Sequence, residues 1–560
     1  MDKKMLYAIV AIVVVVLIIT AGVLLLSGPA APRKYQLELW YNNDGHYGDT
    51  EDELATVLKS SIESCGKVAV TLKSDPWAVY KQNWANERMP AFLLGWYPDY
   101  FDSDDYVSPF LSTSGAASLG SFYSNATMDG WITDEQTTTS APARQQAFAD
   151  IQNTLAEDVP YIPLFSGNAH VAYVNDITRV VLHPVSFKWF IIENPRGTEI
   201  NASTTDKIIS LDPASAYDYF STEIIWNLFD TLLVYEPNTP NLVPALTTGM
   251  PTVSADGKNW TFSLRPGLEF SDGTELNATV VARSIDRAIR LDLPGSAAFL
   301  LYDVGALGRD PTNGNNTAPG TIEVAPNDRD ITFHLLRPVS FFPDLMAFTV
   351  AAPVPWTYSQ TGEQPSTVGN VIGSGPYMMT QHVPNQLVVL ERNLNYYDPG
   401  LYAGFGIPTI PVEDQVNINI RLSATSLKQD IETKAVDIVY RTLNPEDIVD
   451  LDSRETALGI KVDIGASPQI RYIVFNVNKV TSKAVRQAIA YSVDRAAIDQ
   501  TVFLGNVEPL YSMIPGTMPF QSPVFQTKYG ATQDCDAANA LLTGLGFWIW
   551  VPTIWIAGER

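Results

Sequence analysis

From Tyr35 to Tyr41 the chain reads Tyr-Gln-Leu-Glu-Leu-Trp-Tyr, an alternation of apolar and polar positions that suits a half-buried strand. Thr50 and Glu53 have the spacing of a capping box ahead of a helix whose apolar face is Leu54, Val57, Leu58 and Ile62. Val68, Val70 and Leu72 alternate again, the stretch from Trp77 to Trp84 reads as helical, and Phe92 to Trp96 reads as a buried strand. This β-α-β-α-β order predicts an α/β fold with a parallel sheet. In such sheets ligands sit beyond the carboxyl ends of strands, which makes Tyr97-Pro98-Asp99-Tyr100 a candidate site by placement alone. Further strands are predicted at Trp260–Leu264, Leu387–Leu390 and Arg471–Asn478. A helix is predicted over Ala484–Asp494, with Val485, Ala488, Ile489 and Val493 on one face. No segment repeats at a period of roughly 20–50 residues, so a solenoid is excluded.

Ahead of this pattern lies an uncharged run, Met5 to Leu26, whose 22 residues suffice as a helix to cross about 30 Å of hydrocarbon. A secretory signal core is shorter, about 7–15 residues, so the run is predicted to be an uncleaved anchor rather than a cleaved signal. Residues 1–32 are thus an anchor followed by a Pro- and Gly-containing linker, Ser27 to Pro32. Asn-x-Ser/Thr triplets at Asn125, Asn201, Asn259, Asn277 and Asn315 fit a body held outside the cell at its membrane. Residues 548–560, rich in Trp and Ile at their start, remain an unassigned apolar tail.

Composition narrows the function. Sixty-one acidic against 36 basic residues leave a net charge of −25, which repels phosphate backbones and argues against nucleic-acid binding. Aromatic residues reach 11%, in keeping with large cores or an organic ligand. The two cysteines, Cys65 and Cys535, form no Cys-x-x-Cys motif, and the five histidines are scattered, so neither structural zinc nor another metal or cofactor is expected. No phosphate-binding Gly-x-x-x-x-Gly-Lys-Ser/Thr loop occurs. Ser374 lies between Gly373 and Gly375, but Ile372 and Pro376 flank them, so this is not a nucleophile elbow.

Several phrases together resemble the peptide- and nickel-binding class, family 5, of the extracellular solute-binding proteins that serve ABC importers. They are Leu211-Asp212-Pro213, Leu242 to Leu246, Trp260 to Gly267, Phe270 to Thr274, Gly373 to Tyr377, Leu390 to Asn393, Val474 to Asn476 and Val485 to Ala490. Gly95-Trp96-x-x-Asp99-Tyr100 and Val159 to Leu164 complete the set. In the family, the segment resembling residues 34–192 follows the one resembling 195–547; here it comes first, as in a circular permutation or a rearranged gene.

The resemblance implies a two-lobe, Venus-flytrap α/β fold that closes on its ligand about a two-strand hinge. Residues 161–420 would form lobe I with an extra subdomain, and residues 33–160 and 421–547 would together form lobe II. Both cysteines fall in lobe II, either bonded or as separate thiols. Asp99 matches the aspartate that pairs with a peptide's α-ammonium. Trp96 would flank the same cleft, Tyr217 and Tyr219 would line its other side, and Asn476 would face the hinge. Leu93 stands where some members carry an arginine for the ligand carboxylate. Asp102, Asp104 and Asp105 read as solvated charge.

The function expected is therefore capture of di- or oligopeptides by a monomeric binding protein. It would be held to the membrane by its N-terminal helix and would hand the peptide to a permease and, through it, to ATPase subunits. Binding of a nickel chelate, haem or oligosaccharide is the alternative within the family, and a secreted glycoside hydrolase the alternative outside it.

Overall fold

A computed structural model describes residues 33–547, apart from 45, 46, 48, 49, 139, 184, 238, 311 and 313–315. The expected anchor and linker, Asn315 and the 548–560 tail lie outside the described residues. No helix among the described residues is long and apolar enough to cross a membrane.

The opening pattern folds as its alternation predicts. Strands β1 (Tyr35–Asn42), β2 (Val68–Asp75) and β3 (Ala91–Trp96) are parallel, with β1 in the middle. Helices α1 (Glu51–Ser64) and α2 (Trp77–Ala85) make the crossovers. Helix α1 buries Leu54, Ala55, Leu58 and Ile62. It starts after Thr50, but that side chain makes no capping hydrogen bond; Glu51, Asp52 and Glu53 place negative charge at the helix's positive end instead.

Helices α3 (Ala126–Thr137) and α4 (Ala141–Asp158) follow, then the long strand β4 (Tyr161–Val174). β4 runs antiparallel to the longer β10 (Ile460–Phe475). The prediction for β10 covered only its last part. Between them come β5 (Glu199–Thr204), α5 (Tyr219–Leu228), α6 (Ala278–Leu291), β6 (Tyr377–Val383), β7 (Leu387–Arg392), β8 (Gln415–Ile420) and β9 (Ile438–Tyr440). The chain ends through α7 (Lys483–Ser492), β11 (Val507–Pro509) and α8 (Cys535–Gly544). One eleven-stranded sheet results, in the order β6-β7-β8-β5-β9-β4-β10-β3-β1-β2, with β11 added on β4.

Strands β4 and β10 pass through two separate cores. Tyr161, Phe165, Ile470 and Tyr472 pack with Leu37, Phe92 and Phe148. Val171, Ile460 and Val462 pack with Trp189, Ile200 and Ile438. The pairing register shifts between Ala466 and Ile470, so a bulge at Ser467-Pro468-Gln469 separates the lobes. This corrects the expected boundary at 420/421. Leu427, Ile431, Ile448 and Leu451 belong to the lobe I core, because β8, the helix Ala424–Glu432 and β9 complete a parallel unit on β5. The extra subdomain also differs from expectation. Its four-stranded antiparallel sheet (Ile322–Val324, Asp330–His334, Asn259–Ser263, Thr252–Val253) has an apolar core continuous with that of lobe II. Tyr100 stacks on Phe341 at 4.9 Å and Phe101 meets Tyr235 at 5.9 Å across that junction.

Many of the family-like phrases have packing roles. Asp212 of Leu-Asp-Pro accepts from both terminal nitrogens of the fully buried Arg287, at 2.8 and 2.7 Å, and from the Gln364 amide. Gly375 lies against the end of α5, where a Cβ would sit 2.6 Å from the Leu228 carbonyl carbon. Asn393 donates to the Gly375 carbonyl, and Arg486 ties α7 to the carbonyls of Asp158 and Val159. Four of the Asn-x-Ser/Thr asparagines are used internally: Asn125 and Asn277 cap α3 and α6, Asn201 bonds Asp437, and Asn259 bonds His334.

Cys65, at the end of α1, and Cys535, at the start of α8, are joined in a disulfide. At the same edge the two ends of the described chain meet: Arg33 and Tyr35 pack on Phe547, at 5.3 and 5.6 Å. Replacing both cysteines by serine removes this covalent tie. It is expected to cost about 2–4 kcal/mol, and a thermal melt of the wild type in reductant should fall by the same amount as that of the variant.

Candidate ligand-binding site between the lobes

Strand β3 ends at Trp96, and the next four residues turn into the space between the lobes. Gly95 permits this approach: a Cβ there would meet the Arg471 guanidinium at 2.8 Å. From the facing side comes the loop before α5, held by the Asp212–Arg287 pair and by Asp218, which caps α5 through the Ser221 amide at 2.9 Å. The Tyr217 hydroxyl hydrogen-bonds the Asp99 carboxyl across this gap. Tyr97 and Tyr219 meet edge to face at 4.4 Å, and the Arg441 guanidinium lies 3.9 Å over the Tyr219 ring.

Two cavities flank these contacts. One of about 240 Å³ is walled by aromatic rings, among them Tyr97, Phe101, Tyr219, Trp226 and Tyr235. The other, about 480 Å³, is more polar and is lined by Trp96, Asp105, Phe299 and Arg337. Asp99, Tyr100 and Tyr217 belong to both walls. A third space of about 590 Å³ lies where β4 and β10 cross between lobes, lined by Glu51, His170, Thr205, Ser423 and Arg471 among others. There the buried Arg471 is paired with the buried Glu51.

The acids beyond Asp99 are buried, not solvated, which corrects the expectation for Asp102, Asp104 and Asp105. Asp102 and Glu135 share Arg144, at 2.6 and 2.9 Å. Asp104 accepts from Tyr100 and Gln136. Asp105 accepts from the Trp96 indole at 3.2 Å and from the Asp99 amide at 2.6 Å, leaving its other oxygen buried without a partner. Burial drives the Asp99 carboxyl up to about 7, against the opposing pull of the Tyr217 hydrogen bond. Burial, then the nearby Asp99 charge, push Asp105 well above the usual carboxylate range. Two adjacent carboxyls in a poorly solvated place resist carrying two charges.

Of the residues singled out from sequence, Asp99, Trp96, Tyr217 and Tyr219 are brought together here. Asn476 is not. β10 leaves the hinge near Gln469, so its last residues are far from the cleft; Asn476 bonds the Pro90 carbonyl and accepts from the Asn478 amide as a turn residue. Leu93 is fully buried in β3, opposite Ile473. Sequence reasoning missed Arg144 and Arg337. Neither sits in a motif, and only the fold carries Arg144 to Asp102, 42 residues away.

The sequence model for bacterial extracellular solute-binding proteins, family 5 (its middle portion), matches residues 241–548. The chain belongs to this family. Among curated members of known name, the periplasmic murein peptide-binding protein MppA of Escherichia coli is 24% identical over 374 residues, covering 64% of this chain and 66% of MppA. The glutathione-binding protein GsiB of Escherichia coli is 26% identical over 337 residues, covering 58% of this chain and 57% of GsiB. The chain thus spans 66% of the length of MppA and 57% of that of GsiB. Among solved structures, the clavulanic acid biosynthesis oligopeptide binding protein 2 superposes with a TM-score of 0.50 at 24% identity, over 68% of each chain, which shows the fold. The two-lobe α/β architecture is that of a family 5 solute-binding protein.

The raised Asp99 carboxyl has a consequence for stability. A carboxyl that holds its proton up to about 7 when folded, against an ordinary 3.8, favours folding at low pH, and that contribution is lost as pH rises from about 4 through 7. Asp99→Asn should therefore melt a few degrees above the wild type at pH 8, with the gap narrowing toward pH 4. A gap independent of pH would show that Asp99 is not enclosed.

Proposed function

We propose that this chain captures a peptide in the interlobe cleft, with Asp99 receiving the peptide's α-ammonium. The observation that carries the reading is the environment of Asp99: half-buried, lining two cavities, and held among the described residues by a hydroxyl rather than by a cation. A poorly solvated carboxylate in that state is stabilised by an incoming positive charge. The aromatic wall beside it suits apolar side chains. The names of MppA and GsiB, a murein-peptide binder and a glutathione binder, point the same way. A neutral oligosaccharide would leave Asp99 without a counter-charge.

Closure of the lobes about β4 and β10 is the work done, with no chemical step and thus no enzymatic role. Delivery to a permease, and through it to ATPase subunits, by a monomer held at the outer membrane face by the 5–26 run completes the reading. The Cys65–Cys535 disulfide supports a location outside the cytosol. The adjacency of Arg33 and Tyr35 to Phe547 supports a circular permutation, since ends that meet allow the order of segments to change without loss of contacts.

Titration calorimetry with trialanine and N-acetyl-trialanine tests the site. Asp99→Ala should weaken trialanine binding by about 3–5 kcal/mol, the cost of breaking a desolvated ion pair. The acetylated peptide should bind the wild type poorly. Unchanged affinity in the variant would remove Asp99 from the site.

A further inference from the structure

The run Trp548 to Ile556 has no part in peptide capture. It carries three Trp, three Ile and one Val and no charge, and Glu559 and Arg560 beyond it cancel. The run itself lies outside the described residues, but the edge it departs from does not. There Phe547 packs on Tyr35 ring to ring at 5.6 Å and lies under the Arg33 guanidinium at 5.3 Å. Leu545 beside it is 41% exposed. Lys34 follows Arg33, and Lys67, just before β2, bonds the Asn539 carbonyl and the Thr543 hydroxyl of α8. Glu63, the acid that feels Lys34, is itself paired with Lys59. On a chain with a net charge of −25, the edge where the described ends meet is therefore apolar and basic.

The 5–26 run enters at the same point. Arg33 is seven residues past Leu26, and an extended residue adds at most about 3.3–3.6 Å, so Arg33 stays within about 25 Å of the bilayer. The nine residues after Phe547 have a reach of about 30 Å by the same rule, enough to meet the surface. They are too few to cross it, since a spanning helix takes about 20. Tryptophan concentrates at the headgroup level, where its ring is sheltered and its N–H stays wet. We propose that the 548–556 run inserts into the headgroup region of the bilayer beside the anchor, so that lobe II is attached to the membrane at two points. The proposal rests on the anchoring reading above and adds to it a second contact. A weak partition suffices, because the anchor holds the run at a high effective concentration near the lipid. Strand β1 leads from this edge to the cleft over eight residues, so the contact turns the cleft outward, in a pose that captures from solution.

Tryptophan placement supplies the test. Of the 12 in the chain, none lies in residues 1–32, nine lie between Trp40 and Trp356, and the other three are Trp548, Trp550 and Trp555. Quenching by lipids brominated on their acyl chains therefore reports the run and not the anchor. The purified full chain is reconstituted into phosphatidylcholine–phosphatidylglycerol vesicles with and without brominated chains, beside a variant carrying Trp548→Ser, Trp550→Ser and Trp555→Ser. Brominated lipid should remove about a quarter of the wild-type emission, the share of three rings in twelve, and leave that of the variant unchanged. Both proteins should float with the vesicles, because the anchor is intact in each, and both should melt at the same temperature, which excludes a folding defect. Equal quenching of the two proteins, or none in either, overturns the membrane contact of the run and leaves the anchor standing. If the wild type does not float with the vesicles, the anchoring reading itself fails and this proposal falls with it.

Discussion

The whole molecule turns on the pairing of β4 with β10. Each strand is anchored in both cores, and between those anchorages the ladder is interrupted by the bulge at Ser467-Pro468-Gln469. At such a pair the angle between the lobes can change while side chains stay in their own core and the bulged backbone absorbs the bend. The same pairing puts the carboxyl ends of the parallel strands of both lobes on the rim of one gap. Tyr97–Tyr100 come from β3, Thr205 follows β5, and Thr442 follows β9.

The chemistry of that gap is a matter of unmatched charge in a place with little water. Several buried charges stand in opposite-charge pairs: Asp212 with Arg287, Asp102 and Glu135 with Arg144, Glu51 with Arg471. Asp99 instead meets the Tyr217 hydroxyl, and burial holds its carboxyl above the usual range. A folded chain tolerates such groups only if the rest of the structure over-determines them, and the cost is recovered when a complementary ligand arrives. Stability of the empty form and affinity for the guest are then opposed at the same side chain. The disulfide and the ion pairs that stiffen each lobe keep that opposition local.

The family-like phrases illustrate how a motif can be read correctly and yet for the wrong property. Leu-Asp-Pro, Gly-Ser-Gly-Pro and Leu-Glu-Arg-Asn mark backbone contacts and buried ion pairs that hold the loop before α5, not groups that touch a ligand. Of these phrases, Gly95-Trp96-x-x-Asp99 reaches the cleft, since it runs past the carboxyl end of β3 into the cavity walls.

The sequence by itself determined the local elements. Alternation over residues 35–96 predicted three strands and two helices, and all of them form, because period-2 and helical apolar patterns are properties of neighbouring residues. It also placed Asp99 at the end of β3. The tertiary structure alone decided that Asp102, Asp104 and Asp105 are buried, that Asn476 lies away from the hinge, that the lobe boundary falls inside β10, and that Arg337 faces the same cavity as Asp99. Each of these depends on a partner tens to hundreds of residues away in the chain. No local pattern encodes whether a charge will meet its counter-ion, water or an empty space; only the closing of the sheet settles that.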